Sequence, residues 1–349
     1  MTAKDTIFLH IGMHKTASTS LQFSLKHFTD GTTRCARLTR ANHSVDLITA
    51  FADDPAGHAY YVKRRPAPGH VARKRAEIRD RLDSELHSAE RNLILSGEEM
   101  CRFTPGEVAR MGAFLRPYCR QIRVIAYVRD WVSYASSVFQ QVVRHRKVQN
   151  LHAVRPQYRL KFEPYLDVFG ADAVTLVPFA PDRFRGGSIL TDFCDRVGID
   201  PAGITQQTRN KSLSTEAVAL ILAWNAGGMP STGSAAHVRA MGPLVTLLRR
   251  EFPGRFRFAP ELVQARLDPE DLAWVEAQMG QPLPTPPARA EDIGSLEALM
   301  ARGQGALPRL RDILTAQGLT PAAPTAVAMM DALYAKMLAA EQEKPGNRV

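Results

Sequence analysis

The sequence predicts an α/β protein in which a parallel sheet flanked by helices leads into a mainly helical C-terminal region. Three observations carry this expectation. Four short apolar runs, Thr6–Gly12, Asn92–Ser96, Ile122–Val128 and Ala173–Val177, alternate with segments of helix length, the pattern of a sheet covered on both faces. From Ser212 onward such runs stop and only helical periodicities remain. The first run opens directly into a loop of small hydroxylated residues that enters a helix.

The elements follow in order. Thr6–Gly12 reads as a buried strand, and a helix is expected over Ser18–Phe28. Val71–Arg91 has helix length and dense charge, and Asn92–Ser96 is the second strand. Pro105–Tyr118 carries Val108, Met111, Phe114 and Leu115 at helical spacing. Ile122–Val128 leads to a helix over Asp130–Arg146, and Ala173–Val177 to one over Ile189–Val197. Further helices are expected over Thr215–Asn225, Ala236–Glu251, Asp268–Gln278, Ile293–Ala301 and Thr325–Ala340, with proline-rich breaks such as Gln281–Pro287 between them. This divides the chain into a core over residues 1–205, a helical region over 206–342 and a frayed tail over 343–349.

Charge is distributed unevenly over the 349 residues. Residues 1–161 hold 27 basic and 14 acidic side chains, whereas 162–349 hold 18 and 21, so the net charge of +10 comes from the first half. That imbalance implies an anionic partner there. A hydrophobic fraction of 45% excludes a disordered or collagen-like chain. No apolar run approaches the roughly 20 residues of a membrane span. With no signal-peptide pattern at the N-terminus, the expected location is cytoplasmic. Cys35, Cys101, Cys119 and Cys194 form no CxxC pair, so no metal site or disulfide framework is expected. Nucleic acid is not an expected partner, because no zinc-finger spacing, RNP aromatics or basic zipper accompanies the charge.

The segment Phe8–Gln22 carries the chemistry. Backbone amides at a helix start, together with serine and threonine hydroxyls, make a pocket for phosphate or sulfate, and Lys15 adds a full positive charge. It is not the nucleotide-triphosphate loop G-x-x-x-x-G-K-[ST]. Counting from Gly12, the second glycine and the lysine of that pattern fall on Ala17 and Ser18, and the lysine comes instead at Lys15.

Lys15-Thr16-Ala17-Ser18-Thr19 resembles the 5′-phosphosulfate loop of sulfotransferases that use 3′-phosphoadenosine 5′-phosphosulfate (PAPS), with alanine at the usual glycine. Alanine suits a position entering the helix, but a positive φ there would strain it. A second motif of that family, for the 3′-phosphate, is an arginine closing a central strand and a serine eight residues on. Here these are Arg129 and Ser137, with Ser133 between them on the same side of the helix start. Phe162–Gly170, the run Val174–Val177 and Gly187–Ile199 are similar to the family's closing strand and helix. The resemblance covers about residues 6–200 and is nearest to bacterial and carbohydrate-type members. Arg209–Ser214 is a candidate for the late loop that touches the 3′-phosphate and adenine.

The resemblance implies a P-loop-like fold and transfer of a sulfuryl group from PAPS to an acceptor hydroxyl, releasing adenosine 3′,5′-bisphosphate without a metal. Donor contacts are expected from Lys15, Thr16, Ala17, Ser18, Thr19, Ser20, Arg129 and Ser137. Lys15 is the expected catalytic cation, stabilising charge on the bridging oxygen. Glu98, just past an apolar strand at the edge where parallel sheets bind ligands, is the favoured general base. Glu99 and His14 are its alternatives, and His10 reads as a core histidine. Residues 39–91 are expected as an acceptor-side insertion. Their basic cluster, Lys63–Arg65, Arg73–Arg75, Arg79 and Arg81, is either a solvated helix face or a surface for an anionic glycan or lipid headgroup. The expected acceptor is a saccharide or glycoconjugate hydroxyl. The alternatives are a small-molecule or lipid acceptor, a nucleotide-dependent phosphotransferase, and a non-catalytic nucleotide- or glycan-binding relative.

Overall fold

The computed structural model describes residues 3–13, 16–144, 154–207, 212–230, 235–284 and 286–343. The chain begins β1 (Lys4–His10), α1 (Ser18–Ser24), β2 (Thr33–Cys35), α2 (Ser44–Phe51), α3 (Ala59–Arg64) and α4 (His70–Leu86). It continues β3 (Asn92–Ser96), α5 (Pro105–Leu115), β4 (Cys119–Val128), α6 (Trp131–Val143), α7 (Tyr158–Phe169), β5 (Val174–Pro178) and α8 (Ile189–Val197). The remainder is α9 (Thr215–Ala226), α10 (Ala235–Glu251), α11 (Pro260–Gln264), α12 (Pro269–Met279), α13 (Leu296–Gly305), α14 (Leu307–Ala316) and α15 (Ala326–Gln342).

The chain forms two compact units, each assembled from separate segments. The first comprises Met1–Asp130, Gln157–Asn210 and Asp268–Pro284; the second comprises Trp131–Pro156, Lys211–Leu267 and Thr285–Val349.

The first unit holds a five-stranded sheet in the order β2-β3-β1-β4-β5, with every pairing parallel. This is the expected α/β sheet with helices around it. β1 is central, and Ile7 and Leu9 are wholly buried, because a strand covered on both faces has no solvent side. Phe8, Ile94, Ile125 and Tyr127 pack with Leu21 of α1, Leu25 directly after it and Phe193 of α8. Tyr127 donates from its hydroxyl to the buried Asp192 at 2.6 Å, and Asp192 also accepts from Arg196. The local signals behind the helices are plain. Thr104 and Glu107 form a reciprocal capping box ahead of α5, with Pro105 at its first position, and Ser188 caps α8 in the same way with Thr191.

Sequence and structure differ at several elements. The first helix ends at Ser24 rather than Phe28, and β2 follows on the sheet edge. β2 has three residues, too few to show a period, so its pairing with β3 exists only in the folded chain. The short α2 and α3 sit in residues that carry no long periodicity, and α7 has Pro164 in its interior.

The second unit is helical among its described residues. α9 is buried on nearly every side, and it meets α6, α13 and α15. Trp224 Nε1 donates to Asp331 at 2.7 Å, and Asn225 donates to the carbonyl of Val143 at 2.7 Å. Phe139, Phe256 and Phe258 form an aromatic cluster beside α6. No described helix is long and apolar enough to cross a membrane.

Candidate active site

The candidate site is built at the carboxyl ends of β1 and β3. These strands are paired with His10 opposite Ser96, so the loops that follow leave the sheet side by side. Their backbones stay coupled, because Gly97 N donates to the carbonyl of His10 at 3.0 Å.

After β1 the chain still runs along β4, with Ile11 N donating to Ile125 and Met13 N to Tyr127. His14 and Lys15 lie outside the described residues. Thr16 Oγ1 donates back to the carbonyl of Met13 at 2.6 Å and lies 3.1 Å from Ser18 Oγ. Both hydroxyls are buried, so these two residues brace the turn with their side chains. Thr19 and Ser20 are half-buried on the first turn of α1.

Ala17, the residue before that helix, has φ 55° and ψ 18°. This is the left-handed conformation that disfavours a Cβ, at a cost of roughly 1–2 kcal/mol. Alanine therefore bears the strain that the glycine of the resembling motif avoids. Among the described residues no side chain caps α1, and the first amides of any helix lack acceptors within it.

Gly12 sits at a close approach. A Cβ on it would stand 2.5 Å from Ser18 Oγ and 3.0 Å from His10 Nε2. His10 is completely buried, and its Nε2 has no hydrogen-bond partner among the described residues. Its other nitrogen lies 2.7 Å from Ser96 Oγ. Burial pushes the imidazole down to about 4, so it is neutral at pH 7. An uncharged orphan nitrogen, a serine hydroxyl and a space that only glycine leaves open thus converge beside the turn.

After β3, Gly97 brings the chain within 3.1 Å of the Ser44 backbone, measured from where its Cβ would be. Glu98 and Glu99 then open a 3₁₀ turn over Glu98–Arg102, both half-buried. Glu99 is tied into the structure. Its amide donates to Ser44 Oγ at 3.1 Å, and its carboxylate lies 2.6 Å from His58 Nε2. His58 Nδ1 accepts from Tyr60 N at 3.3 Å, which assigns the imidazole proton to Nε2, facing Glu99. His43, which precedes α2, accepts from Ser96 N at 3.1 Å and is likewise pushed down to about 4 by burial.

At the end of β4, Arg129 holds its guanidinium 5.6 Å from the centre of the Phe179 ring, and its carbonyl accepts from Tyr158 Oη at 2.8 Å. Ser133 and Ser137 stand half-buried on α6. The boundary between the two units falls after Asp130, inside this motif, so Arg129 belongs to the first and the serines to the second. Of the late loop, Arg209, Asn210 and Lys211 lie outside the described residues; Ser214 caps α9.

The basic cluster has in part a structural assignment. Arg75 donates to the carbonyls of Thr49 and Ala52, Arg79 to Ala50, and Arg110 to Phe51. These are the unpaired carbonyls at the C-terminus of α2, where cations also complement the helix dipole. Sequence reasoning missed His43, His58 and Ser44, which fix the base loop. The signal available was a histidine directly before each of two short helices. Among the described residues no group of three or more His, Cys, Asp or Glu is placed to hold a metal ion.

The first unit is an α/β parallel sheet with a hydroxylated turn after its central strand. No family model matches the chain, and no curated protein does. Its structural neighbours are sulfotransferases. A sulfotransferase from Alicyclobacillus acidocaldarius is 14% identical, with 81% of this chain and 98% of that chain covered and a TM-score of 0.42. The sulfotransferase domain of the Synechococcus PCC 7002 olefin synthase is 17% identical, covers 57% and 75%, and gives a TM-score of 0.37. The sulfotransferase domain of the curacin biosynthetic pathway is 11% identical, covers 81% and 100%, and gives 0.36.

Proposed function

We propose that this protein is a PAPS-dependent sulfotransferase acting on an acceptor hydroxyl of a saccharide or glycoconjugate, with an anionic glycan among the acceptors that suit its charge. The observation that carries the reading is the turn from Gly12 to Ser18, with its glycine-only approach, strained Ala17 and uncapped helix start, beside the Glu98–Glu99 loop of the neighbouring strand.

PAPS supplies an activated sulfuryl group: the acceptor oxygen bonds to sulfur, the bond from sulfur to the bridging oxygen breaks, and adenosine 3′,5′-bisphosphate leaves. Amides of Thr16 to Ser20 hold the 5′-phosphosulfate, and Lys15 neutralises the charge that grows on the bridging oxygen. Arg129, steadied by Phe179, takes the 3′-phosphate. Glu98 takes the acceptor proton. Glu99, already committed to His58, positions that loop. The donor-binding core is residues 1–205, the acceptor side is formed by 39–91, and 206–342 is the helical C-terminal region. The four cysteines are free thiols, three of them buried, which suits a reducing, cytoplasmic setting.

Calorimetry with adenosine 3′,5′-bisphosphate and ATP tests the reading. The bisphosphate is expected to bind at least tenfold more tightly, and Arg129→Ala is expected to remove most of that preference. Tighter binding of ATP would overturn it in favour of a phosphotransferase.

A further inference from the structure

The first unit contains a second polar feature that the donor chemistry does not use. α2, α3 and α4 enclose an open cavity of about 470 Å³, within the range that holds drug-sized ligands. Arg40, Tyr60 and Arg64 all stand on its wall. The guanidinium carbons lie 4.3 Å and 3.8 Å from the centre of the Tyr60 ring, and Arg40 also donates to the Tyr60 hydroxyl. Arg64 Nη1 donates to the carbonyl of Tyr60 at 3.2 Å.

Among the described residues no carboxylate lies within ion-pair distance of Arg40 or Arg64. The acidic group lining the cavity, Asp46, is buried and accepts from Thr39 N and Oγ1 and from the Arg40 backbone, and its charge acts on Arg40 without a direct ion pair. This separates the two arginines from Arg75 and Arg79, whose guanidinium groups serve the end of α2. Each guanidinium is held against the same aromatic ring on the cavity wall, so either has little side-chain freedom left to lose on binding an oxyanion.

The cavity is also tied to the base loop. α3 starts after His58, the residue that holds Glu99. From His58 to Arg64 is six residues, roughly 9 Å along a helix, which is about the length of a disaccharide. We propose that this cavity is an acceptor subsite for an oxyanion on a ring-sized carrier, with Arg40 and Arg64 binding the anion and the apolar wall of Pro66 and Ile78 packing the carrier. The oxyanion is a carboxylate, a sulfate ester or a phosphate monoester. The assignment as an acceptor subsite rests on the sulfotransferase reading; the anion site itself does not.

The test is calorimetry on the full chain with 4-nitrophenyl β-glucuronide, 4-nitrophenyl sulfate and 4-nitrophenyl phosphate, against neutral 4-nitrophenyl β-glucoside. Saturating adenosine 3′,5′-bisphosphate keeps the probes out of the donor turn. At least one anion is expected to bind tenfold or more tightly than the glucoside, and Arg40→Ala with Arg64→Ala is expected to abolish that advantage without changing bisphosphate affinity. If the double variant does not fold, Arg64→Gln alone is expected to lower it at least threefold. No advantage for any anion, or an advantage that survives the substitutions, overturns the subsite. Failure of the bisphosphate to bind, with the arginine-dependent preference intact, would instead overturn the sulfotransferase reading and leave an anion site of another function.

Discussion

At the carboxyl end of β1 the chain offers a ligand its backbone. Gly12 gives up its side chain, the hydroxyls of Thr16 and Ser18 turn inward, and Ala17 takes a left-handed conformation before an uncapped helix. In the cavity enclosed by α2, α3 and α4 the reverse holds. There the backbone is satisfied within helices, and Arg40, Arg64 and Tyr60 present side chains. The contrast separates two kinds of recognition. Amides in a strained turn suit one group of fixed geometry, such as a shared donor. Side chains on a wall of short helices recognise by charge and shape rather than by one fixed backbone geometry.

The largest expected effect tests the loop between the two regions. Glu98→Gln is expected to lower sulfuryl transfer by about 10²-fold or more, followed with labelled PAPS, while adenosine 3′,5′-bisphosphate binds as before. Glu99→Gln is expected to cost less than tenfold, because its carboxylate holds His58 and the start of α3. If the two losses came in the opposite order, Glu99 would be the base.

Next in size is Gly12→Ala, expected to weaken bisphosphate binding tenfold or more, since the new Cβ meets Ser18 Oγ and His10 Nε2. The same variant is expected to leave anion binding at Arg40 and Arg64 unaltered, and loss at both sites would show that the two regions are not independent.

Acid is expected to destabilise the backbone site. His10 and His43 have folded values near 4 because burial disfavours the imidazolium, against an ordinary 6.5. The unfolded chain therefore binds protons that the folded chain refuses. Their contribution is complete above about pH 6.5 and is lost as pH falls toward 4. Denaturant titrations at pH 7 and pH 5 should differ by about 2 kcal/mol for each histidine. An unchanged midpoint would mean that both are protonated in the fold.

The smallest effect is Ala17→Gly. Relief of the left-handed strain, offset by the added freedom of the unfolded chain, is expected to stabilise by roughly 0.5 kcal/mol. A drop in melting temperature would show that Ala17 is not strained.

The sequence by itself determined the parallel sheet, most of the longer helices and the place of the hydroxylated strand-to-helix turn. Strands buried on both faces are written as continuous apolar runs, and a hydroxylated strand-to-helix loop is local in the chain. Thr104-Pro105 and Ser188 mark helix starts for the same reason. Only the tertiary structure decided that His58 holds Glu99, that Arg75 and Arg79 serve the end of α2, and that Arg40 and Arg64 meet over Tyr60. Each pairing joins residues distant in sequence. Charge composition is the same for an arginine that caps a carbonyl and one that awaits an anion, and packing alone tells them apart.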